Sequence, residues 1–127
     1  MKYIYPKQII YLHKRIIENT GGQEGLRDTR LLESAVYRPM ATFGGQELYP
    51  DIFDKASALI HSLISNHPFF DGNKRTSYES MRIFLRINGY DIEAPDNQKY
   101  KFVMDIANHK LNLSDITNWI KHYSVKL

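Results

Sequence analysis

The sequence contains no cysteine, and this absence removes several classes of protein at once. Without thiols there is no disulfide framework, no thiolate nucleophile and no cysteine ligand for zinc. Small disulfide-rich secreted domains and cysteine-based zinc fingers are therefore excluded. A chain without disulfides suits a reducing compartment, and we expect a cytoplasmic protein.

Long apolar runs are also missing. No stretch approaches the roughly 20 consecutive apolar residues that span a bilayer. The first six residues, MKYIYP, lack the apolar segment and small-residue cleavage site of a signal peptide. We therefore expect no contact with a membrane.

Charge of one sign is not in large excess. There are 17 basic and 14 acidic residues, which give a formal net charge of +3, and they are interspersed along the chain. Proteins that bind nucleic acid usually gather basic residues on one face or present a recognisable recognition helix. The sequence indicates neither a basic face nor a recognition helix, so direct nucleic-acid binding is not expected.

What the chain does have is helical periodicity. Its 127 residues are the size of one domain, and we interpret residues 1–127 as a single unit. Apolar residues recur at spacings of three and four, which predicts an all-α fold of about six helices. The predicted helices cover about 6–19, 29–38, 52–66, from Gly72 and Asn73 to Asn88, 97–108, and 115–123 with Ser114 as the N-cap.

The third predicted helix is the most apolar, so we expect it at the centre of the bundle. Residues 90–92 could form a short extended piece, but no alternating run is long enough to nucleate a sheet. Residues 39–50, PMATFGGQELYP, lack a helical period and contain adjacent glycines at Gly44 and Gly45. This segment is predicted to be a mobile or sharply turned flap.

Reactive side chains are densest in residues 67–76, HPFFDGNKRT. Gly72 and Asn73 open a helix, and a helix N-terminus presents unpaired N–H groups and a partial positive charge. Lys74 and Arg75 add positive charge where the helix dipole disfavours it. Phosphate is the ligand that this pattern predicts.

Two further side chains complete the predicted site. Asp71 places a carboxylate beside the phosphate position, which is how proteins commonly hold magnesium. His67 lies four residues earlier, and histidine accepts protons near neutral pH, so it is the candidate general base for an incoming hydroxyl. Phe69 is expected to point into the core and anchor the loop. Taken singly, these residues also have ordinary structural interpretations as a helix end, a turn and a solvated cationic pair.

Residues 67–75 resemble the motif of the Fic/Doc (Fido) family, His-x-Phe-x-(Asp/Glu)-Gly-Asn-x-(Lys/Arg), whose fold is a compact all-α bundle. The resemblance to the death-on-curing branch covers most of residues 1–92, including segments 21–22, 25–28, 31–35, 38–39, 41–45 and 48–50. Lys74 is typical of that branch, because AMP-transferring members usually have glycine there. Those members also often have a second arginine where this chain has Tyr78.

The resemblance implies a toxin that is a serine/threonine protein kinase and uses ATP and Mg²⁺. Nucleotide would bind in reversed orientation and present its γ-phosphate, and the expected target is a translation factor, elongation factor Tu, whose modification arrests translation. His67 would be the base, Asp71 would position magnesium, and Lys74 would act beside the transferred group. Gly72, Asn73, Lys74 and Arg75 would bind the phosphates.

The resemblance also implies how target and regulator bind. The flap residues would pair with the target peptide by strand addition; they are Thr42, Phe43, Gly44 and Gly45. A separate Phd-like antitoxin would inhibit the toxin. Residues 20–25 match the spelling of a self-inhibitory Fic motif, but their glycines disfavour the helix it needs.

Two other functions remain open from the sequence. The first is AMP transfer, which the general family resemblance favours and which Lys74 and Tyr78 disfavour. The second is a domain that binds nucleotide or a partner without catalysis, against which the intact His67, Asp71 and Asn73 set argues.

Overall fold

The computed structural model describes residues 1–127, and six α-helices account for most of them. They are α1 (Pro6–Thr20), α2 (Thr29–Tyr37), α3 (Ile52–Asn66), α4 (Asn73–Ile87), α5 (Asp96–Ala107) and α6 (Leu113–Tyr123), with one 3-10 turn at Arg38–Met40. The predicted all-α class and helix number are therefore confirmed. No helix combines the length and apolarity needed to cross a membrane.

Helices α2, α3 and α6 begin at capping residues whose side chains accept hydrogen bonds from free N–H groups. Asp28 caps α2, and its carboxylate accepts a hydrogen bond from the Leu31 N–H at 3.0 Å. The predicted cap of α6 is wrong: Asn112 is the N-cap and Ser114 lies within the first turn. Asn112 Oδ1 accepts from the Asp115 N–H at 2.8 Å while Asp115 accepts from the Asn112 N–H. This reciprocal pair starts the helix earlier than the apolar periodicity indicates.

Helix α3 is the centre of the bundle, as its apolar sequence predicts. It packs against α2, α4, α5 and α6. Nine of its residues are buried, namely Lys55, Ala56, Ser57, Ala58, Leu59, Ile60, Ser62, Leu63 and Ile64. Because α3 is central, its last turn, which directly precedes His67, lies close to the start of α4.

Two small antiparallel sheets accompany the helices. Strands β1 (Thr42–Phe43) and β2 (Gln46–Glu47) form a hairpin within the predicted flap. Its turn residues Gly44 and Gly45 both have positive φ, +58° and +81°, which a two-residue hairpin turn requires. The second sheet pairs β3 (Tyr90–Ile92) with β4 (Ser124–Lys126). The sequence indicated β3 only as a possibility and missed β4, because three residues directly after a helix carry no alternating pattern.

A buried lysine fixes the base of the hairpin. The Lys55 side chain is 1% exposed, and its Nζ donates to the Pro39 carbonyl at 3.0 Å and to Glu47 Oε1 at 2.8 Å. Phe43 near the tip is 81% exposed. The flap is therefore anchored to α3 at its base and open to solvent at its tip.

A cluster of charges joins α4 to β3. Arg82 Nε donates to Asp91 Oδ1 at 2.8 Å, and Arg86 pairs with Asp91 Oδ2. The hydrogen bond from Arg82, aided by the Ile92 N–H and by Arg86, lowers the pKa of Asp91 to about 2. Asp91 is thus ionised in the folded protein over most of the acidic range.

Asp91→Asn should remove a pH-dependent part of the stability. The pKa of Asp91 is lowered on folding, so its stabilisation is present above the unfolded value of about 3.9 and is lost as pH falls towards about 2. Urea unfolding across this range should show the difference between wild type and Asp91→Asn shrinking as pH falls. Asp105→Asn, which removes a surface pair with Lys101, is the matched control; a constant difference for Asp91→Asn would contradict the prediction.

Candidate active site

His67 lies directly after α3 in an uncommon backbone conformation. It is the C-cap residue, with φ +53° and ψ +56°, in the left-handed region that few residues other than glycine adopt. Its side chain is exposed. Such backbone strain persists only where surrounding contacts enforce it.

Arg27 supplies those contacts from the loop before α2. Its Nε donates to the His67 carbonyl at 2.8 Å and its Nη2 to the Asn66 carbonyl at 3.0 Å. The main-chain N–H groups of Arg27 and Asp28 both donate to the Pro68 carbonyl, at 2.7 and 3.0 Å. The free carbonyls at the end of α3 are thereby satisfied, and the His67 backbone is held.

Phe69 anchors the middle of the loop, as its sequence position predicted. The residue is buried, and its ring stacks on that of His13 with centroids 3.9 Å apart and planes within 7°. The Asn73 side chain accepts from the Phe69 N–H at 2.9 Å and donates to the Phe69 carbonyl at 2.8 Å. The Asn73 amide is thus engaged within the loop, and what it leaves for an anion is its main-chain N–H.

Asp71 is exposed and held by two main-chain N–H groups. Its Oδ2 accepts from Gln23 at 3.0 Å and its Oδ1 from Gly72 at 2.9 Å. These bonds, Gln23 first, lower the pKa of the Asp71 carboxyl below its usual value. The Asp71 carbonyl also accepts a bond from His13 Nε2 at 2.8 Å. A fixed, ionised carboxylate therefore lies beside the start of α4.

The first turn of α4 is free of protein partners. Gly72 caps it in the left-handed conformation, with φ +72°, and the first N–H that bonds back to the cap is that of Thr76. The N–H groups of Asn73, Lys74 and Arg75 have no acceptor in the protein. Neither the Lys74 nor the Arg75 side chain forms an ion pair. Three N–H groups and two cations are therefore available to an anion.

One cavity of about 300 Å³ collects every residue predicted for the phosphate chemistry. It is lined by His67, Phe70, Asp71, Gly72, Asn73, Lys74 and Arg75. A neighbouring cavity of about 280 Å³ also borders His67 and Lys74 and extends towards His109. The flap residues Thr42, Phe43, Gly44 and Gly45 line neither cavity.

Arg38 connects the end of the flap to α3. Its Nε donates to the Tyr49 hydroxyl at 2.9 Å, and its Nη1 donates to Ser62 Oγ at 2.7 Å and to His61 Nδ1 at 2.9 Å. Burial first, then the nearby Arg38 charge, lowers the pKa of His61. A neutral His61 can accept the arginine hydrogen bond. The flap is thus fastened to α3 at both of its ends, through Lys55 and Arg38.

Comparison with known families agrees with this geometry. The family model described as the Fic/DOC family matches residues 3–85, which include α1 to α4 up to Leu85. The chain belongs to the Fic/Doc family.

Two curated relatives belong to the Doc branch of this family. The protein named Toxin Doc from Mycolicibacterium smegmatis is 49% identical over 74 residues, or 58% of this chain. That match spans 57% of the relative, a little over half its length. The protein named Protein kinase doc from Escherichia phage P1 is 33% identical over 92 residues, which is 72% of each chain.

The stretch that spells the self-inhibitory Fic motif is not helical here. Helix α1 ends at Thr20, and residues 21–25 form an irregular loop, as the glycines predicted. These glycines instead allow close approach to the active-site loop: a Cβ on Gly22 would lie 2.6 Å from Asp71 Oδ2. A Cβ on Gly25 would lie 3.1 Å from the Phe70 ring. The sequence did not predict this packing. The glycines were the one available signal, because glycine often allows close backbone approach.

The residues present fit a magnesium ion that is shared with a phosphate ligand. Asp71 is exposed and ionised, and magnesium in phosphate sites is commonly held by one or two carboxylates with phosphate oxygens and waters. No group of three or more histidine, cysteine or acidic side chains is arranged to hold a metal. Asp71 would therefore hold the ion together with the phosphate oxygens.

Gly22→Ala should raise the pKa of Asp71 towards its usual value. The new methyl group would displace the loop and weaken the Gln23 N–H bond, which is the largest cause of the lowered pKa. Carboxyl NMR titration of Asp71 measures the effect. Gly21→Ala is the matched control, because Gly21 also has positive φ but its Cβ would meet no atom within 4 Å. An unchanged Asp71 titration in Gly22→Ala would count against the role given to this loop.

Proposed function

We propose that the protein is a Doc-like toxin: a kinase that transfers the γ-phosphate of ATP to a serine or threonine hydroxyl of elongation factor Tu and so arrests translation. The observation that carries this proposal is the junction of α3 and α4. A histidine, an ionised carboxylate, three free N–H groups and two unpaired cations line one cavity there. The two relatives are named Toxin Doc and Protein kinase doc, and these names support the toxin and protein-kinase parts of the proposal.

Each group has a role in phosphoryl transfer. His67 accepts the proton of the target hydroxyl, whose oxygen bonds to the γ-phosphorus while the bond from that phosphorus to the β,γ-bridging oxygen breaks and ADP leaves. The N–H groups of α4, with Lys74 and Arg75, stabilise the charge on the phosphate oxygens. Asp71 would hold Mg²⁺, which when bound supplies further positive charge to the phosphates.

Lys74 favours γ-phosphate transfer over AMP transfer. It lines three neighbouring cavities at the start of α4, and a side chain at this position restricts space that a glycine would leave open. Its ammonium group also adds positive charge beside His67. A nucleotide whose phosphates enter past this lysine would present its terminal phosphate to the histidine.

We propose control in trans by a Phd-like antitoxin and action in the cytoplasm. Residues 21–25 do not form the helix that the self-inhibitory motif requires. Inhibition would then come from a second chain. The flap hairpin, with an exposed tip and an anchored base, would pair with the target peptide by strand addition.

His67→Ala should abolish transfer while leaving the fold intact, because His67 is exposed and its side chain makes no hydrogen bond. Losing the base from a positioned phosphoryl-transfer site should reduce the rate by about 10²–10⁴-fold. The measurement is incorporation of γ-labelled phosphate into purified elongation factor Tu. His122→Ala, an exposed histidine on α6, should keep the wild-type rate. Full activity in a folded His67→Ala variant would overturn the assignment.

Deleting Gly44 and Gly45 should separate target docking from nucleotide binding. Without these residues the hairpin turn cannot form its two-residue connection, so strand pairing with the target is lost. Phosphorylation of elongation factor Tu should fall strongly while calorimetric ATP affinity is unchanged. Unaltered protein phosphorylation by the deletion variant would contradict a docking role for the flap.

A further inference from the structure

The ammonium group of Lys55 is buried in the bundle and pairs with a carboxylate on the flap. Among the nine buried residues of α3, Lys55 is the one that carries a charge. Its side chain is 1% exposed, whereas that of Glu47, which it contacts at 2.8 Å, is 50% exposed. The Pro39 carbonyl accepts a second bond at 3.0 Å, and Nζ lies 5.7 Å from the centroid of the Tyr3 ring. Both hydrogen-bond acceptors of Lys55 therefore belong to residues 39–50.

Stability alone does not account for a charge in this position. Moving an ammonium group out of water costs free energy, and replacing a buried ion pair by apolar side chains often leaves a protein equally stable or makes it more stable. What such a pair can add is a single arrangement of the chain, because any other arrangement leaves the buried charge without its acceptor. The geometry of Lys55 is therefore better explained by the orientation of its partner.

The Lys55–Glu47 pair determines which face of the hairpin is open to solvent. Successive residues of a strand point to opposite faces, and directly opposed residues on paired strands share a face. Glu47 contacts α3 through Lys55, so Phe43 and Gln46, which oppose each other in the register, lie on the other face. Phe43 is accordingly 81% exposed. The pair thus holds the Phe43 face outwards.

The hairpin depends on this contact because it is too short to be ordered alone. Each strand has two residues, and an isolated two-stranded hairpin is at best marginally stable in water. If the hairpin moved away, Glu47 would be solvated at little cost, but Lys55 would remain buried without a carboxylate. The cost of release is therefore paid at Lys55, inside the bundle. The second attachment, from Arg38 to the Tyr49 hydroxyl, lies beyond β2 and does not fix its faces.

We propose that the buried Lys55–Glu47 pair preorganises the flap for docking of the target, which makes Lys55 a positioning residue that acts through the hairpin. An edge that is ordered before binding does not lose further conformational entropy when a strand is added to it. The inference rests on the proposed function, in which the flap pairs with the target peptide. Lys55 lines neither cavity that borders His67, so its effect should be on target affinity and not on the transfer step.

The first test is steady-state kinetics of Lys55→Met, which replaces the ammonium by an apolar side chain of similar length. The KM for elongation factor Tu should rise about tenfold because the flap must be ordered during binding. The kcat and the calorimetric affinity for ATP should equal those of wild type, and the urea midpoint should not fall. Glu33→Ala, which removes an exposed acid on α2, is the matched control and should change none of these values.

Variants of Glu47 separate positioning from stability. Glu47→Ala should lower the urea midpoint and raise KM, because the ammonium is left buried without a carboxylate. Adding Lys55→Met to Glu47→Ala should restore the urea midpoint but leave KM raised, whereas a purely structural role would restore both. Glu47→Gln keeps an acceptor oxygen and should raise KM less than Glu47→Ala does.

Amide hydrogen exchange tests the flap without any target. The Leu48 N–H bonds to the Ala41 carbonyl at 3.0 Å and continues the hairpin ladder. In Lys55→Met this N–H should exchange about tenfold faster than in wild type. The Glu93 N–H, which bonds to the Tyr123 carbonyl beside the second sheet, is the internal control and should be unchanged.

Failure of this inference differs from failure of the proposed function. If wild type phosphorylates elongation factor Tu and Lys55→Met keeps the wild-type KM or the wild-type exchange of the Leu48 N–H, the positioning role is overturned and the proposed function stands. Recovery of the wild-type KM in the double variant would also overturn it. If wild type transfers no phosphate to elongation factor Tu, the proposed function fails and the docking role of Lys55 fails with it.

Discussion

The burial of Phe69 is the constraint on which the active-site loop depends. Its ring is stacked on His13, and its main-chain N–H and carbonyl are both bonded to the Asn73 side chain. The loop between α3 and α4 is therefore fixed at its middle by α1 and by the first residue of α4. His67 and Asp71 lie two residues to either side of Phe69, so the backbone at both candidate site residues is held in place.

The remaining contacts bring the α1–α2 connection against the same loop. Arg27 binds the carbonyls at the end of α3, and the Gln23 N–H binds the Asp71 carboxylate. By contrast, three N–H groups and two cations at the start of α4 have no protein partners. Such an accumulation of positive charge is unfavourable in an empty protein and favourable when an anion is bound. The loop contacts therefore hold a site whose electrostatics are completed by its ligand.

The helical part of this architecture could be predicted from sequence because its signals are local. Apolar spacing acts over a few residues, and α3 begins and ends where it indicates. The motif residues could be predicted because they are contiguous across one loop and one helix start.

The pairing of β3 with β4 could not be predicted, since it joins residues more than 30 positions apart with no alternating pattern. The contacts of Gly22 with Asp71 and of His13 with Phe69 could not be predicted either, because they also join residues far apart in the sequence. The missing partner of the Tyr78 hydroxyl is a property of packing, which no residue pattern expresses.

Phosphoryl and adenylyl transfer would use the same loop, and they differ in which end of the nucleotide meets His67. We propose that this choice depends on Lys74. The most direct measurement is the intact mass of purified elongation factor Tu after incubation with the protein, ATP and magnesium. A mass increase equal to one phosphoryl group is the predicted result. An increase equal to one adenylyl group would contradict the account.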